Sequence, residues 1–146
     1  MNSATLCQLS LQPGQAATHL TPELWTASNR HLVRKALSEY SHELILIPTR
    51  QGPAGDGMDV YQVQSDDERS TYTFAARVLA LRHWHIAADS IVRKRDGQEL
   101  PLDALQFIID VRGRLGIKDE LVPIYLDEIS STLYGAAYKL AKADAP

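Results

Sequence analysis

The feature that most constrains the fold is a change in the spacing of apolar side chains along the sequence. From about residue 22 to 41 apolar residues recur at helical spacing, and this spacing returns in two segments after residue 101. Between them, residues 58–64 and 71–82 alternate with a period of two, as strands with one buried face do. This order of helix, strands and two helices, without β-α-β alternation, predicts an α+β fold with an antiparallel sheet of about four strands.

Local signals mark the ends of the three predicted helices. Thr21-Pro22-Glu23 combines a capping side chain, a proline at the first helical position and an acid in the first turn. Pro101 stands near the start of the second helix, and Gly116 suits the left-handed residue at its end. The third helix is predicted over residues 119–143, with Pro123 near its first turn. Its apolar stripe is longer than a compact domain of this size requires, so we expect part of it to pack on something outside these residues.

The strand region is less regular. Leu44–Ile47 is a short β-prone run ended by Pro48, which predicts a strand followed by a loop rich in glycine and proline. Residues 65–69 form a polar turn, so the strands on either side of it are expected to make an antiparallel hairpin. A further strand is expected at 83–86 or 90–93, before a turn at Asp96-Gly97.

Composition indicates one ordinary globular domain. The chain has 146 residues, of which 45% are hydrophobic and 23% charged, and one core is expected at this length. We expect a mobile leader over residues 1–20 and a folded domain over residues 21–146. The net charge of -3 and the lack of a long basic run argue against a nucleic-acid partner. A single cysteine, no run of 18 apolar residues and no secretory signal predict a cytoplasmic protein without a membrane partner.

Several polar groups invite a chemical interpretation that their spacing does not support. His83 and His85 could share a metal, but no third ligand stands at suitable spacing, so we expect a strand with exposed histidines and an inward Trp84. Asp66-Asp67-Glu68 is interpreted as a solvated turn, and Asp127-Glu128 as surface groups. The sequence has no glycine-rich phosphate loop and no nucleophile in a strained-turn motif, so no catalytic residue and no metal ligand is assigned.

Ser130-Ser131-Thr132 is unusual, because three hydroxyl residues interrupt a good helix-forming segment. One interpretation is that the hydroxyls bond to carbonyl groups one turn earlier. The other is that they face a cleft whose second wall lies outside this sequence.

Ordered blocks over about residues 20–142 resemble a known family. The blocks are Leu20-Thr21-Pro22-Glu23-Leu24-Trp25, Tyr72-Thr73-Phe74-Ala75-Ala76-Arg77, His83-Trp84-His85-Ile86, the run from Arg95 to Leu105, and Leu126-Asp127-Glu128-Ile129-Ser130-Ser131-Thr132-Leu133. They are similar to the siderophore synthetases that work without a nonribosomal peptide synthetase, the aerobactin-synthetase (IucA/IucC) family. They look closest to the branch that includes the desferrioxamine, alcaligin and putrebactin synthetases.

The resemblance implies an N-terminal, thumb-like subdomain of an ATP-dependent acid–amine ligase. Such enzymes activate a carboxylate as an acyl-adenylate with Mg-ATP, and the substrate in this branch would be an N-hydroxy-N-succinyl diamine. The Gly-His-Pro and Ser-Thr-Arg blocks of the family have no counterpart before Pro146, so this segment is expected to be inactive alone and to bind neither ATP nor Mg tightly. Ser130, Ser131, Thr132 and Lys139 are the candidates for residues near the nucleotide cleft.

The resemblance also implies a partner, which is either the remainder of the synthetase or a second copy packed along the 119–143 helix. A free-standing, noncatalytic protein-interaction module is the alternative function.

Overall fold

The computed structural model describes residues 21–144, and of the side chains after residue 135 it describes that of Lys139 alone. Helix α1 spans Pro22–His42 and is followed by strands β1 Thr49–Gly55, β2 Met58–Gln64, β3 Ser70–Val78, β4 Trp84–Ile86, β5 Val92–Arg95 and β6 Gln98–Leu100. Helix α2 spans Ala104–Leu115, and helix α3 spans Val122–Asp144 after a 3-10 turn at Asp119–Leu121. The α+β class is confirmed, and the predicted leader over residues 1–20 lies outside the described residues.

Capping residues set the boundaries of α1 and α2, and α2 begins at Ala104, three residues after the predicted Pro101. The Thr21 hydroxyl accepts a hydrogen bond from the Leu24 amide at 3.1 Å, and Asp103 caps α2 by accepting from the Gln106 amide at 3.0 Å. Gly116 ends α2 with a φ of 75°, a backbone conformation that glycine adopts without a Cβ clash.

Strand β3 is the centre of the sheet. Over residues 71–76 it pairs antiparallel with β2, and on its other side it pairs first with β5 and then with β4. The hairpin around the 65–69 turn is therefore confirmed. Both places suggested for a further strand are occupied, since β4 and β5 cover them. With β1 and β6 added at the edges, the described part of the chain has a six-stranded sheet where about four strands were predicted.

The strand predicted at Leu44–Ile47 is wrong. The amides of Ile45 and Leu46 both donate to the Tyr40 carbonyl, at 2.9 and 3.1 Å, so this run terminates α1 instead of entering the sheet. Leu44 adopts a φ of 65°, as the residue that turns a helix end commonly does. This β-prone run therefore serves as a helix stop, with Leu46 fully buried beneath it.

The loop predicted after Pro48 is also wrong, because residues 49–55 form β1. This strand lies at the edge of the sheet and pairs with β2 through a register that is interrupted twice. Asp56 and Gly57, with φ of 54° and 76°, form the two-residue hairpin turn that is a recognised Asp-Gly signal. The glycine and proline residues of β1 are untypical of a strand, so the sequence does not indicate one. Backbone hydrogen bonds to β2 form without an alternating apolar pattern.

The core lies between one face of the sheet and helices α1 and α2. Alternate residues of β3 point into it, and the intervening Thr71, Thr73 and Ala75 are half-buried on the opposite face. Helix α3 packs on α1 and α2: its Leu133 is 2% exposed, and the Ser28 hydroxyl donates to the Leu133 carbonyl at 3.1 Å. The buried core residues are Val33, Leu37, Leu46, Val63, Tyr72, Phe74, Ala76, Ile86, Ile91, Ala104, Phe107, Ile108 and Val111.

Part of the apolar stripe of α3 packs within the described residues, and the partner expected for the rest of it stays a prediction. Ile129 and Leu133 pack within the described residues. Exposed apolar side chains remain in and just before the first turn of α3, where Ile124 is 57% exposed and Leu121 and Tyr125 are also exposed.

Candidate functional site

A cleft of about 410 Å³ opens between the 65–69 turn, β5 and α2. Arginine and aspartate side chains dominate its lining: Asp66, Asp67, Arg93, Arg95, Asp110 and Arg112. Acidic and basic side chains paired in a cleft are a candidate catalytic or binding site. The hydrogen-bond partners of each group decide whether it is free to act on a ligand.

Asp67 is held by the turn in which it lies. Its carboxylate accepts from the Ser65 hydroxyl at 2.5 Å and from the Arg69 amide at 3.0 Å. Arg95 from β5 adds an ion pair at 3.3 Å. These hydrogen bonds, first the one from Ser65 and then that from the Arg69 amide, lower the pKa of Asp67 to about 2. Asp67 is therefore a fixed anion and a poor proton acceptor near neutral pH.

Asp66 ties the same turn to the end of α2. Its carboxylate accepts from the Gly113 amide at 2.6 Å and from Arg114 Nε at 3.1 Å. The Arg114 guanidinium also donates to the Gln64 carbonyl. The sequence interpretation of residues 66–68 as a solvated turn is right about their exposure but missed the contacts of Asp66, whose partners lie 47 and 48 residues away.

Gly113 and Gly135 are a matched pair of helical glycines with which the contact between Asp66 and the end of α2 can be tested. A Cβ at Gly113 would lie 2.8 Å from Asp66 Oδ2, whereas one at Gly135 would meet no atom of the described residues within 4 Å. We expect Gly135→Ala to stabilise the fold by about 0.5–1 kcal/mol. Gly113→Ala should instead destabilise it by about 1 kcal/mol, because the pinned carboxylate must move. Urea denaturation of both variants measures the difference in unfolding free energy. Equal stabilisation by the two substitutions would contradict the proposed role of the Asp66–Gly113 contact.

Asp110 is the buried acid of the cleft, with 7% of its surface exposed. It accepts from the Tyr72 hydroxyl at 2.7 Å and from the Gln106 side-chain amide at 2.9 Å. Burial, followed by the hydrogen bond to Asp110, raises the pKa of Tyr72. Tyr72 is consequently a neutral donor that joins the central strand to α2.

Each carboxylate of the cleft therefore already accepts hydrogen bonds from its own neighbours. A general base or metal ligand needs a free lone pair directed at a reactant. Among the side chains that the structure describes, no group of three or more metal-ligating residues could hold a cation. The cleft acts as a polar clamp between the sheet and α2, and the assignment of no catalytic residue to this chain stays a prediction.

The histidines lie at another end of the sheet. Trp84 packs inward with its ring 4.8 Å from that of Tyr61, while His83 and His85 are exposed, as predicted. His83 stacks on His42 of α1 with the ring centres 4.8 Å apart, a contact between residues 41 positions apart that no local pattern signals.

The four nucleotide-cleft candidates all lie on α3. The Thr132 hydroxyl donates to the Glu128 carbonyl at 3.1 Å, which is the back-bonding interpretation. Ser130 is half-buried, whereas Ser131 and Lys139 are exposed. Thr132 and Lys139 are seven residues apart and share a side of the helix, but successive residues diverge by about 100°. The described contacts do not gather the four into a pocket for a nucleotide, so their role stays a prediction.

Comparison with known proteins places this architecture in a larger context. No protein-family model matches the chain. Putrebactin synthase of Shewanella sp. (strain MR-4) is 46% identical over 128 residues, which is 88% of this chain and 20% of that protein. The rhizobactin siderophore biosynthesis protein RhbF of Rhizobium meliloti (strain 1021) is 25% identical over 83% of this chain and 19% of that protein.

Two solved structures share the fold. Aerobactin synthetase IucC of Klebsiella pneumoniae matches with a TM-score of 0.68 at 24% identity, over 83% of this chain and 20% of its own. The petrobactin biosynthesis protein AsbB of Bacillus anthracis str. Sterne matches with a TM-score of 0.70 at 16% identity, over 91% of this chain and 22% of its own. At these identities the structures are evidence for the fold alone.

The architecture is thus that of one segment of a siderophore biosynthesis protein. The chain belongs to the siderophore synthetases that work without a nonribosomal peptide synthetase, the aerobactin-synthetase (IucA/IucC) family. It spans about a fifth of the length of the curated relatives that it matches. Within residues 21–144, no helix is both long and apolar enough to cross a bilayer.

Proposed function

We propose that this chain is the N-terminal, thumb-like segment of a cytoplasmic, ATP-dependent siderophore synthetase. The complete enzyme would adenylate a carboxylate and condense it with an amine, with an N-hydroxy-N-succinyl diamine as the substrate type. The observation that carries the proposal is the 46% identity to putrebactin synthase over 88% of the chain. An identity of this size over a continuous segment supports a shared role of that segment.

The described residues contribute structure to this function instead of reacting groups. Mg-ATP would supply the adenylating chemistry in the complete synthetase, where charged groups must surround the transferred phosphoryl and carboxylate. The carboxylates of the polar clamp are already hydrogen bonded, and the side chains that the structure describes form no cation-binding cluster. We therefore place the ATP and Mg sites outside the described part of the chain, with Thr132 and Lys139 on the side of α3 that could approach them.

Exposed apolar residues at the start of α3 support a partner there. Leu121, Ile124 and Tyr125 are all exposed. Exposed apolar residues grouped in this way favour a contact with another protein surface. In the proposed enzyme this surface receives the remainder of the synthetase; a second copy is the other partner that the helix could bind.

A graft tests the proposed function. Residues 21–144 replace the matching fifth of the Shewanella putrebactin synthase, and carboxylate-dependent exchange of pyrophosphate into ATP and product formation are measured. We expect the chimera to keep at least about one tenth of the parent activity, a loss of at most about 1.4 kcal/mol in transition-state stabilisation. The isolated chain should show no exchange above background.

The control is the same synthase with that fifth deleted, which should be inactive. A correctly folded but inactive chimera would contradict the proposed function and favour the interaction-module alternative. Exchange catalysed by the isolated chain would contradict the placement of the reacting groups.

A further inference from the structure

Five exposed apolar side chains lie on two segments at one end of the domain. One segment is the turn after α1, with Leu44 and Ile47, and the other is the loop from the end of β3 to β4, with Val78, Leu79 and Leu81. Leu81 is 83% exposed and Ile47 76% exposed. We call these five residues the end surface.

Specific contacts hold the two segments side by side. His42, at the end of α1, stacks on His83 with an angle of 11° between the rings, and its Nδ1 lies 3.0 Å from the Arg82 carbonyl oxygen. The Ser38 hydroxyl donates to the Trp84 carbonyl at 3.0 Å. The end surface is therefore built from both sides of one fixed junction between helix and sheet.

The loop that carries Leu81 has an unfavourable backbone. Leu81 and Arg82 follow one another with φ of 61° and 59°, a left-handed region that side chains with a Cβ seldom occupy. The hairpin turns at 56–57 and 96–97 reach similar angles with Asp-Gly pairs, which tolerate them. The loop thus places a leucine and an arginine in an unfavourable backbone conformation while Leu81 points outward. Because Leu81 is not buried by the described residues, apolar burial within them does not offset the cost of this conformation. Strain of this kind is typical of sites with a function.

We propose that the end surface docks against the remainder of the synthetase polypeptide. This inference rests on the proposed function, and the choice of occupant follows from chain length. The matched relatives are about five times longer than the matching segment, so about four fifths of their chain is available to cover it. Exposed leucine and isoleucine in a group match an apolar protein surface. A second copy of this chain is the competing occupant.

Amide hydrogen exchange tests the docking without relying on activity. In the chimera described above, the amides of residues 44–47 and 79–83 should exchange at least about tenfold more slowly than in the isolated chain, because docking suppresses local opening. The amides at the Asp56-Gly57 turn serve as the internal control and should be unchanged. Unchanged exchange at the end surface would overturn the proposal even if the chimera makes product.

Two substitutions sharpen the result. Leu81→Asp should not lower the melting temperature of the isolated chain, since the side chain is solvent-exposed there and aspartate tolerates a positive φ, but it should abolish the protection in the chimera. Tyr134→Asp, at an exposed residue of α3 near Trp25, is the matched control and should keep the protection. If the two variants behave alike, the end surface is not the contact.

The outcomes separate the two proposals. A protected but inactive chimera supports docking and counts against the proposed function. Protection that appears in the isolated chain and rises with its concentration identifies a second copy as the occupant and overturns the docking proposal. If the chimera does not fold, co-purification of this chain with the separately expressed remainder of the synthase decides, and failure of the unsubstituted chain to co-purify counts against docking.

Discussion

Replacing Phe107 by alanine is expected to destabilise the domain by about 3–5 kcal/mol, since a buried phenylalanine leaves a cavity that a packed core fills poorly. Phe107 is 1% exposed, and its ring meets that of Tyr72 edge-on at 5.0 Å. It is therefore the point at which α2 packs on the central strand. A domain of this size has about 5–15 kcal/mol of stability in total, so the variant should lose a large share of it.

Urea denaturation at neutral pH measures this loss. Leu121→Ala is the control, because an exposed apolar residue outside the core should change stability by no more than about 0.5 kcal/mol. A loss below about 1 kcal/mol for Phe107→Ala would mean that α2 can repack on β3 without this ring, and that the core is less tightly ordered than its burial indicates.

The second large effect is expected at the Tyr72–Asp110 hydrogen bond. Tyr72→Phe removes the donor at 2.7 Å from a buried carboxylate, and we expect a cost of about 1–3 kcal/mol at pH 7. Burial and the hydrogen bond to Asp110 raise the pKa of Tyr72 in the folded chain. The stabilisation from this tyrosine is therefore complete below the unfolded pKa of about 10 and is lost as the pH rises above that value.

The free-energy difference between the unsubstituted chain and Tyr72→Phe should consequently shrink as the pH is raised beyond 10. Urea denaturation across pH 7–11 measures it, and contributions shared by both chains cancel in the difference. Tyr134→Phe, which removes an exposed hydroxyl, is the control for the substitution itself. A difference that stays constant up to pH 11 would show that the buried hydroxyl does not ionise on unfolding as we expect.

Local sequence predicted the elements whose stability has local causes. The caps Thr21 and Gly116 were identifiable because the atoms they satisfy lie within four residues. The hairpin between β2 and β3 was identifiable because alternation on both sides of a polar turn fixes which face is buried. The antiparallel α+β class followed from the order of these elements.

The same local reasoning failed where a residue's conformation depends on a distant partner. Leu44–Ile47 has strong β propensity, yet it closes α1 because Leu46 finds a buried position under the helix. Strand β1 lacks an apolar pattern and exists because β2 offers an unpaired edge. The one sequence signal for β1 was the Asp56-Gly57 pair, whose two-residue turn implies a strand on each side.

The candidate site shows the same division. The absence of a phosphate loop and of a nucleophile motif could be established from the sequence, and the ordered blocks were sufficient for the family. The polar clamp could not be predicted from the sequence, since Asp66 contacts Gly113 and Tyr72 contacts Asp110 across 47 and 38 residues. Nothing in the spacing of such residues records the contact.

By itself, the sequence determined the start of α1, the end of α2, the main hairpin, the α+β class and the relationship to siderophore synthetases, because each depends on neighbouring residues or on ordered identity along the chain. Only the tertiary structure decided which edge β1 joins, which acids are hydrogen bonded, and that the two segments carrying the end surface are held together by the His42–His83 contact. These features arise from contacts between residues far apart in the chain, whose geometry is set by how the helices pack on the sheet.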